Sequence, residues 1–135
     1  MTRRPSAHVE FANRRDWLEA TLTGAGGTLD DALGYWRCIG AEVARCGAKR
    51  VLVIDRTRAE VTLSREEYEH MLDLLHDEVT ALVANGSRVA FVLRDARLVP
   101  QVEYGTLLGR ADGVEISLFV DVPHAETWLR YGESG

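Results

Sequence analysis

The sequence predicts an α/β fold with a single mixed, mostly parallel five-stranded sheet and about four helices, in the order β-β-α-β-α-β-α-β-α. Two short runs, 51–54 and 89–93, are apolar at every position, which is typical of interior strands covered on both faces. Segments of helical period alternate with them, and alternating strands and helices give parallel strands. Open parallel sheets bind ligands outside the carboxyl ends of their strands, so the fold class indicates where a site should lie.

An antiparallel hairpin is predicted at the start of the chain. Residues 8–12 and 18–22 alternate between apolar and polar side chains, and residues 13–16 between them are turn-like. This alternation is typical of a hairpin with one face in water. A first helix follows, for which Thr28 has the side chain of an N-cap and Gly47 is the expected stop.

A second helix is predicted between the two buried runs. Residues 56–63 form a polar connection, and Ser64-Arg65-Glu66-Glu67 matches a capping box. One continuous apolar stripe then runs to Asn85-Gly86, formed by Tyr68, Met71, Leu72, Leu75, Val79, Leu82 and Val83. The stripe predicts a single helix over this segment.

The last third of the chain predicts a helix, a strand and a final helix. The third helix covers about 100–112, where Gly105 and Gly109 each weaken it by roughly 1 kcal/mol relative to alanine. Residues 114–120 alternate, which predicts a strand at or near the sheet edge. Pro123 suits the first turn of a short final helix.

Size and charge limit the classes of protein. The chain has 135 residues, an apolar fraction of 46% and a net charge of −5, which fits one domain over residues 1–135. The acidic balance argues against non-specific binding to nucleic acid or to anionic membranes, and no run predicts a membrane span or a signal peptide. Cys38 and Cys46 fall in one predicted helix, ~12 Å apart along its axis, beyond disulfide reach. They predict reduced cysteines and a cytoplasmic protein.

Three segments together resemble a known family. They are Leu33 to Trp36 in the first predicted helix, the run Arg50 to Asp55, and the ending from Leu118 to Leu129. Over nearly its whole length the chain resembles the SpoIIAA-like, or STAS-type, domains. In particular it is similar to the small stand-alone bacterial members grouped with the lipid-binding CRAL-TRIO domains. The matching residues are mostly core positions, so the resemblance implies the fold more than the function.

The resemblance also implies a regulatory loop. In the anti-sigma-factor antagonists of this fold, a serine after the Asp that ends the third strand is phosphorylated at a helix start, which breaks partner binding. Asp55 matches that Asp, and Arg56-Thr57 stand where the loop would carry the serine. The chain departs from the pattern, since the connection to the next helix is longer, no small glycine-containing turn follows, and Ser64 is predicted as a cap. These departures argue against the phospho-switch in this chain.

Charged and hydroxyl side chains follow the predicted strands that end at about 54, 93 and 120. Parallel strands should bring them to one end of the sheet, and they are Asp55, Arg56, Thr57, Arg58, Arg94, Asp95, Arg97 and Asp121. One interpretation is a rim that binds an anion or a partner, because arginine presents a planar fork of donors to carboxylate or phosphate. The alternative is a set of solvated loop charges that neutralise one another.

Motifs for catalysis, metals and cofactors are not found in the sequence. The four histidines form no metal-ligand spacing, so no metal site is predicted. Gly24-Ala25-Gly26-Gly27 lacks the spacing of a phosphate loop and is interpreted as a flexible connection. An enzyme that used Asp55, His70 or Asp95 as a base would have no activated nucleophile or paired acid. No catalytic residue and no cofactor are therefore predicted.

The leading interpretation is a non-enzymatic cytoplasmic binding or regulatory module that takes a protein partner or a small ligand. The alternative is a carrier of a small apolar or lipid-like ligand, held between helices and sheet near the aromatic side chains of Tyr35, Trp36 and Trp128. The runs 51–54 and 89–93 also predict that both sheet faces are covered, either by one of the chain's own helices or by a second copy in a homodimer.

Overall fold

One mixed sheet forms the centre of the computed structural model, which describes residues 8–58 and 62–132. Its five strands lie side by side in chain order: β1 (His8–Asn13), β2 (Leu18–Thr23), β3 (Arg50–Asp55), β4 (Arg88–Val92) and β5 (Glu115–Phe119). β1 and β2 are antiparallel, whereas the pairs β2–β3, β3–β4 and β4–β5 are parallel. The predicted hairpin and the predicted central parallel pair are both confirmed.

The helices differ from the prediction in number. The described residues form five α-helices, where about four were predicted, together with a short 3-10 turn (Ala96–Leu98). The helices are α1 (Leu29–Cys46), α2 (Arg65–Leu74), α3 (His76–Asn85), α4 (Val99–Ala111) and α5 (Val122–Tyr131). The prediction of one helix over 65–85 is therefore wrong, and with it the predicted element order. In the described part of the chain, no helix has both the length and the apolar character needed to cross a membrane.

Leu75 is the residue at which the expected single helix divides. Its backbone angles (φ −98°, ψ 19°) interrupt the helix without a proline or glycine, and its side chain stays buried. The interruption allows the two halves to pack on different neighbours, since α2 packs mainly against α4 and α3 packs mainly against α1. The apolar stripe continues through Leu75, which is why the sequence gives no sign of the break.

Two helix starts that frame the carboxyl edge of the sheet were predicted and are confirmed. The Thr28 hydroxyl accepts a hydrogen bond from the Asp31 amide at 3.1 Å and caps α1. Ser64 and Glu67 form a full capping box at the start of α2, with reciprocal bonds of 3.1 and 3.0 Å. Gly47 ends α1 with a φ of 69°, a left-handed conformation that favours glycine.

The two faces of the sheet are covered by different helices. Val51 and Val53 of β3 lie in the cluster packed with α1 and α3, while Leu52 and Ile54 lie in a second cluster. The second cluster is closed by α5, through Ala125, Trp128 and Leu129. One of the chain's own helices therefore crosses to the second face, as one of the two predicted solutions requires. This cover removes the bare apolar face that was the sequence argument for a homodimer.

Candidate functional site

A cavity of about 60 Å³ lies at the carboxyl ends of β3 and β4, beneath the starts of α1 and α2 and beside α4. The polar side chains that line it include Tyr35, Asp55, Thr57, Tyr68, Arg94 and Thr106. A water molecule needs at least ~15 Å³ of cavity volume, so this cavity accommodates about four waters. It can therefore admit only a small ligand, or one group of a larger partner. The position is the sheet edge at which the fold class predicts a site.

A buried ion pair joins the ends of two neighbouring parallel strands at this cavity. The guanidinium of Arg94 contacts the carboxylate of Asp55, with Nη1 and Oδ2 2.6 Å apart, and the two side chains are 15% and 8% exposed. The second carboxylate oxygen of Asp55 accepts hydrogen bonds from the Thr57 amide at 2.9 Å and the Thr57 hydroxyl at 2.7 Å. Both oxygens of Asp55 are therefore engaged, as a buried carboxylate requires.

The loop after β3 is held close to the start of α1. The backbone amides of Arg56 and Arg58 donate to carbonyls at the end of β2 and just beyond it, at 2.8 and 2.9 Å. Gly26 makes room for Thr57, because a Cβ added there would lie 2.7 Å from the threonine hydroxyl oxygen. Thr57 is consequently buried, with its hydroxyl turned towards Asp55 and away from solvent.

Two tyrosines contribute hydroxyl groups to the cavity. Burial raises the pKa of Tyr35, and the nearby negative charge of Asp55 raises it further. Burial also raises the pKa of Tyr68, whose hydroxyl lies 2.6 Å from the hydroxyl of Thr62. Both phenols stay protonated at neutral pH and can donate hydrogen bonds, so the cavity presents neutral donors beside an internally compensated ion pair.

Arg56 and Arg58 flank Thr57 on this loop, with exposed side chains, and neither is among the residues that line the cavity. Neither guanidinium has a carboxylate within ion-pair distance among residues 8–58 and 62–132. They differ in this respect from Arg94, whose charge is compensated by Asp55. The structure thus separates a buried, compensated pair from two exposed cations on the same loop edge.

The remaining predicted site residues are held in other contacts. Asp95 caps the 3-10 turn and pairs with Arg97 at 2.8 Å, and the hydrogen bonds from Arg97 lower the pKa of Asp95 to about 2. Asp121 is the N-cap of α5, accepting from the His124 amide at 2.9 Å and contacting the His124 ring at 2.8 Å. Asp55, Thr57 and Arg94 meet directly, whereas Asp95–Arg97 forms a pair of its own and Asp121 serves the start of α5.

Several cavity residues were not among the predicted site residues. Tyr68 was predicted in the apolar stripe of the second helix, and Tyr35 only beside a possible apolar cavity. The hydroxyl group of each was the signal that one end of the side chain needs a polar surrounding. Gly26 belonged to a segment interpreted as a flexible connection, yet its lack of a side chain leaves the space that Thr57 fills. In the described ranges, no three His, Cys, Asp or Glu side chains are grouped so that they could hold a metal ion.

Replacement of Gly105 tests whether Tyr68 is fixed against α4. A Cβ at Gly105 would lie 2.7 Å from two ring carbons of Tyr68, so Gly105→Ala is expected to lower the free energy of unfolding by ~1–3 kcal/mol despite alanine's better helix propensity. Gly34→Ala in α1 is the matched control, since no atom lies within 4 Å and stabilisation of up to ~1 kcal/mol is expected. Urea unfolding measures both, and equal stabilisation by the two substitutions would contradict the contact.

Comparison with known proteins does not identify a function for this site. No protein-family model matches the chain, and no curated protein is significantly similar to it. The function is therefore inferred from the carboxyl edge of the sheet itself, where a small polar cavity, a buried ion pair and two exposed arginines lie together.

Proposed function

We propose that this protein is a non-enzymatic binding or regulatory module that recognises an anionic group of a partner at the carboxyl edge of its sheet. The observation that carries the proposal is the pair of exposed guanidinium groups of Arg56 and Arg58, which follow β3 directly and have no carboxylate partner in the described part of the chain. An uncompensated guanidinium on a fixed backbone is suited to bind a carboxylate or a phosphate in bidentate geometry.

The cavity lined by Thr57, the residue between these two arginines, supports recognition of a small group. Its volume of about 60 Å³ can take the terminal group of a side chain or a small ligand. The phenol of Tyr35 lines it and stays protonated at neutral pH because its pKa is raised, so it can donate to an incoming oxygen. The surrounding loop is fixed by backbone hydrogen bonds to the end of β2, which reduces the entropy lost on binding.

A non-enzymatic role is supported by the way the reactive groups are used. Asp55 would be the obvious general base, but one of its oxygens contacts Arg94 and the other accepts two hydrogen bonds from Thr57. The Thr57 hydroxyl would be the obvious nucleophile, but it is buried and donates to Asp55. These contacts are those of a structural polar network, since each group's hydrogen-bonding capacity is occupied within the fold.

Cavity volume favours this proposal over a carrier of lipid-like ligands. The apolar cavity between helices and sheet, next to Trp36, Leu82 and Ile116, measures about 60 Å³. Pockets for ligands of drug size occupy roughly 300–1,000 Å³. An acyl chain would require the helices to move apart, whereas recognition of a small anionic group at the edge requires no such change.

Cellular location and family membership are parts of the same proposal. A cytoplasmic location is supported by Cys38 and Cys46, which are both free and exposed on α1. A SpoIIAA-like identity is supported by the mixed sheet that begins with a hairpin and by the helix that follows β5. In that family setting, the loop after β3 would be the natural partner-binding segment.

Native mass spectrometry of the protein purified under mild conditions tests the proposal. We expect the wild-type protein to retain a specific bound species carrying carboxylate or phosphate groups. Loss of a charge-assisted hydrogen bond costs about 1.5–3 kcal/mol, so the double substitution Arg56→Ala and Arg58→Ala should weaken its binding more than tenfold. Titration of that species into both proteins measures the change.

Arg37→Ala on α1 provides the control for general loss of positive charge. The Arg37 side chain is 52% exposed and lies 4.0 Å from Glu78, and it does not line the cavity. Binding should be unchanged in this variant. Equal retention of the species by wild type and by the Arg56/Arg58 double variant would eliminate the proposed recognition surface, as would an equal loss in the Arg37 variant.

A further inference from the structure

A basic groove lies at the opposite, amino-terminal edge of the parallel strands. The groove measures about 470 Å³ and lies between the β1–β2 turn and the segment that leads into β3. Four cationic residues line it, together with a single acidic residue, Asp16: the cationic residues are Arg14, Arg15, Lys49 and Arg50. This concentration of positive charge stands out on a chain whose net charge is −5.

Local ion pairs leave most of this charge uncompensated. Arg14 contacts Glu19 at 3.0 Å, and the carboxylate of Asp16 contacts Arg130 at 3.5 Å. The other three cations that line the groove have no carboxylate within ion-pair distance in the ranges that the structure describes: Arg15, Lys49 and Arg50. Three positively charged residues without a carboxylate partner in these ranges thus line one groove, one from the hairpin turn and two from the start of β3.

Contacts with the carboxyl ends of helices compensate only part of this positive charge. The ammonium group of Lys49 donates to the carbonyl of Asn85 at the end of α3, and Arg50 donates to the carbonyl of Arg130 near the end of α5, at 3.5 Å. A helix C-terminus carries about half a negative charge, so these contacts compensate the two cations incompletely. Arg15 makes neither contact, because it lies in the hairpin turn with an exposed side chain. Its presence in the groove is not explained by helix capping.

We infer that this groove binds a compact soluble polyanion, a ligand that carries two or more phosphate groups. Three cations without a carboxylate partner in the described part of the chain match the charge of such a ligand, and arginine and lysine are the usual partners of phosphate oxygens. The groove volume of about 470 Å³ falls within the roughly 300–1,000 Å³ of small-molecule sites.

A nucleic acid fits this groove less well. Single strands are held by a long basic track and by exposed aromatic rings on which bases stack. Trp17 is the only aromatic residue lining the groove in the described part of the chain, and it is buried with the guanidinium of Arg130 over its ring, 4.9 Å from the centroid. The net charge of −5 also repels an extended polyanion beyond the groove itself.

Isothermal titration calorimetry with inorganic triphosphate as the probe tests the inference on the full-length protein. We expect saturable binding that weakens as the ionic strength is raised. Arg15→Gln, Lys49→Gln and Arg50→Gln should each weaken binding about tenfold, the effect of losing one charge-assisted contact. Arg37→Gln, an exposed arginine outside the groove, should bind the probe like wild type.

Arg15→Gln is the decisive variant, because removing this exposed side chain disturbs no described ion pair and should leave the thermal unfolding midpoint unchanged. Unchanged triphosphate affinity in Arg15→Gln, with lower unfolding midpoints in the Lys49 and Arg50 variants, would overturn the inference in favour of helix capping alone. It would also be overturned by an equal loss of affinity in Arg37→Gln, by the absence of triphosphate binding, or by a short single-stranded oligonucleotide binding more than tenfold tighter than triphosphate.

Discussion

Replacement of Asp55 by alanine is expected to lower the free energy of unfolding by about 3–5 kcal/mol, the usual cost of removing one partner from a buried ion pair. The substitution removes the carboxylate that the guanidinium of Arg94 contacts at 2.6 Å, in a setting where the arginine side chain is only 15% exposed. It also removes the acceptor for both the amide and the hydroxyl of Thr57. Urea unfolding followed by circular dichroism measures the change at constant m-value.

Two further variants separate the buried pair from general charge effects. Arg97→Ala breaks the exposed pair with Asp95 and should change stability far less, since exposed ion pairs contribute little. The double variant Asp55→Ala, Arg94→Ala should lose less than the sum of the two single losses, because each single substitution already removes the contact between the two side chains. A loss below about 1 kcal/mol for Asp55→Ala would show that the carboxyl ends of β3 and β4 are held together by other contacts.

Trp128→Ala is expected to cost about 3–5 kcal/mol, the range for truncation of a large buried aromatic side chain. Trp128 is 8% exposed and lies in the cluster that closes the second face of the sheet. Its ring contacts Phe119 at a centroid distance of 5.6 Å, and the guanidinium of Arg88 lies over it at 5.1 Å. The alanine variant loses these contacts and leaves a cavity between α5 and the sheet, which thermal and urea unfolding should both report.

Trp128→Phe provides the matched comparison, because it keeps an aromatic ring and removes the indole nitrogen. The Nε1 atom of Trp128 is buried and has no hydrogen-bond partner in the described part of the chain, so its loss removes an unsatisfied donor. We expect the phenylalanine variant to be less than half as destabilised as the alanine variant. A cost below about 1 kcal/mol for Trp128→Ala would instead mean that α5 is peripheral to the fold.

The sequence predicted the sheet well because its signals are local. The two-faced apolar runs located β3 and β4, and the alternating segments located the hairpin and the edge strand β5. The helix division at Leu75 was missed because its cause is tertiary, the packing of α2 and α3 on different partners. No residue near Leu75 breaks a helix by its own conformational preference, so periodicity alone could not reveal the division.

The candidate site was predicted in position but not in composition. The sequence correctly predicted that Asp55 and Arg94 lie at the same edge of the sheet, because parallel strands in register end at the same level. Asp121 also follows a strand, yet its carboxylate accepts a hydrogen bond from the first turn of α5. That helix packs on the other face of the sheet. The contribution of Tyr35 depends on the direction of its side chain relative to the cavity, which helical spacing does not determine.

The arrangement of α5 has a consequence for how the protein is made. Neighbouring strands are also neighbours along the chain, so each parallel strand can join the sheet as it is synthesised, and domains fold from the N-terminus during synthesis. The face formed by Leu52, Ile54 and Val92 lacks the cover that α5 provides until Val122–Tyr131 is available. The nascent protein therefore exposes part of this apolar face until α5 docks. That docking step is the one at which aggregation, or capture by a chaperone, competes with completion of the fold.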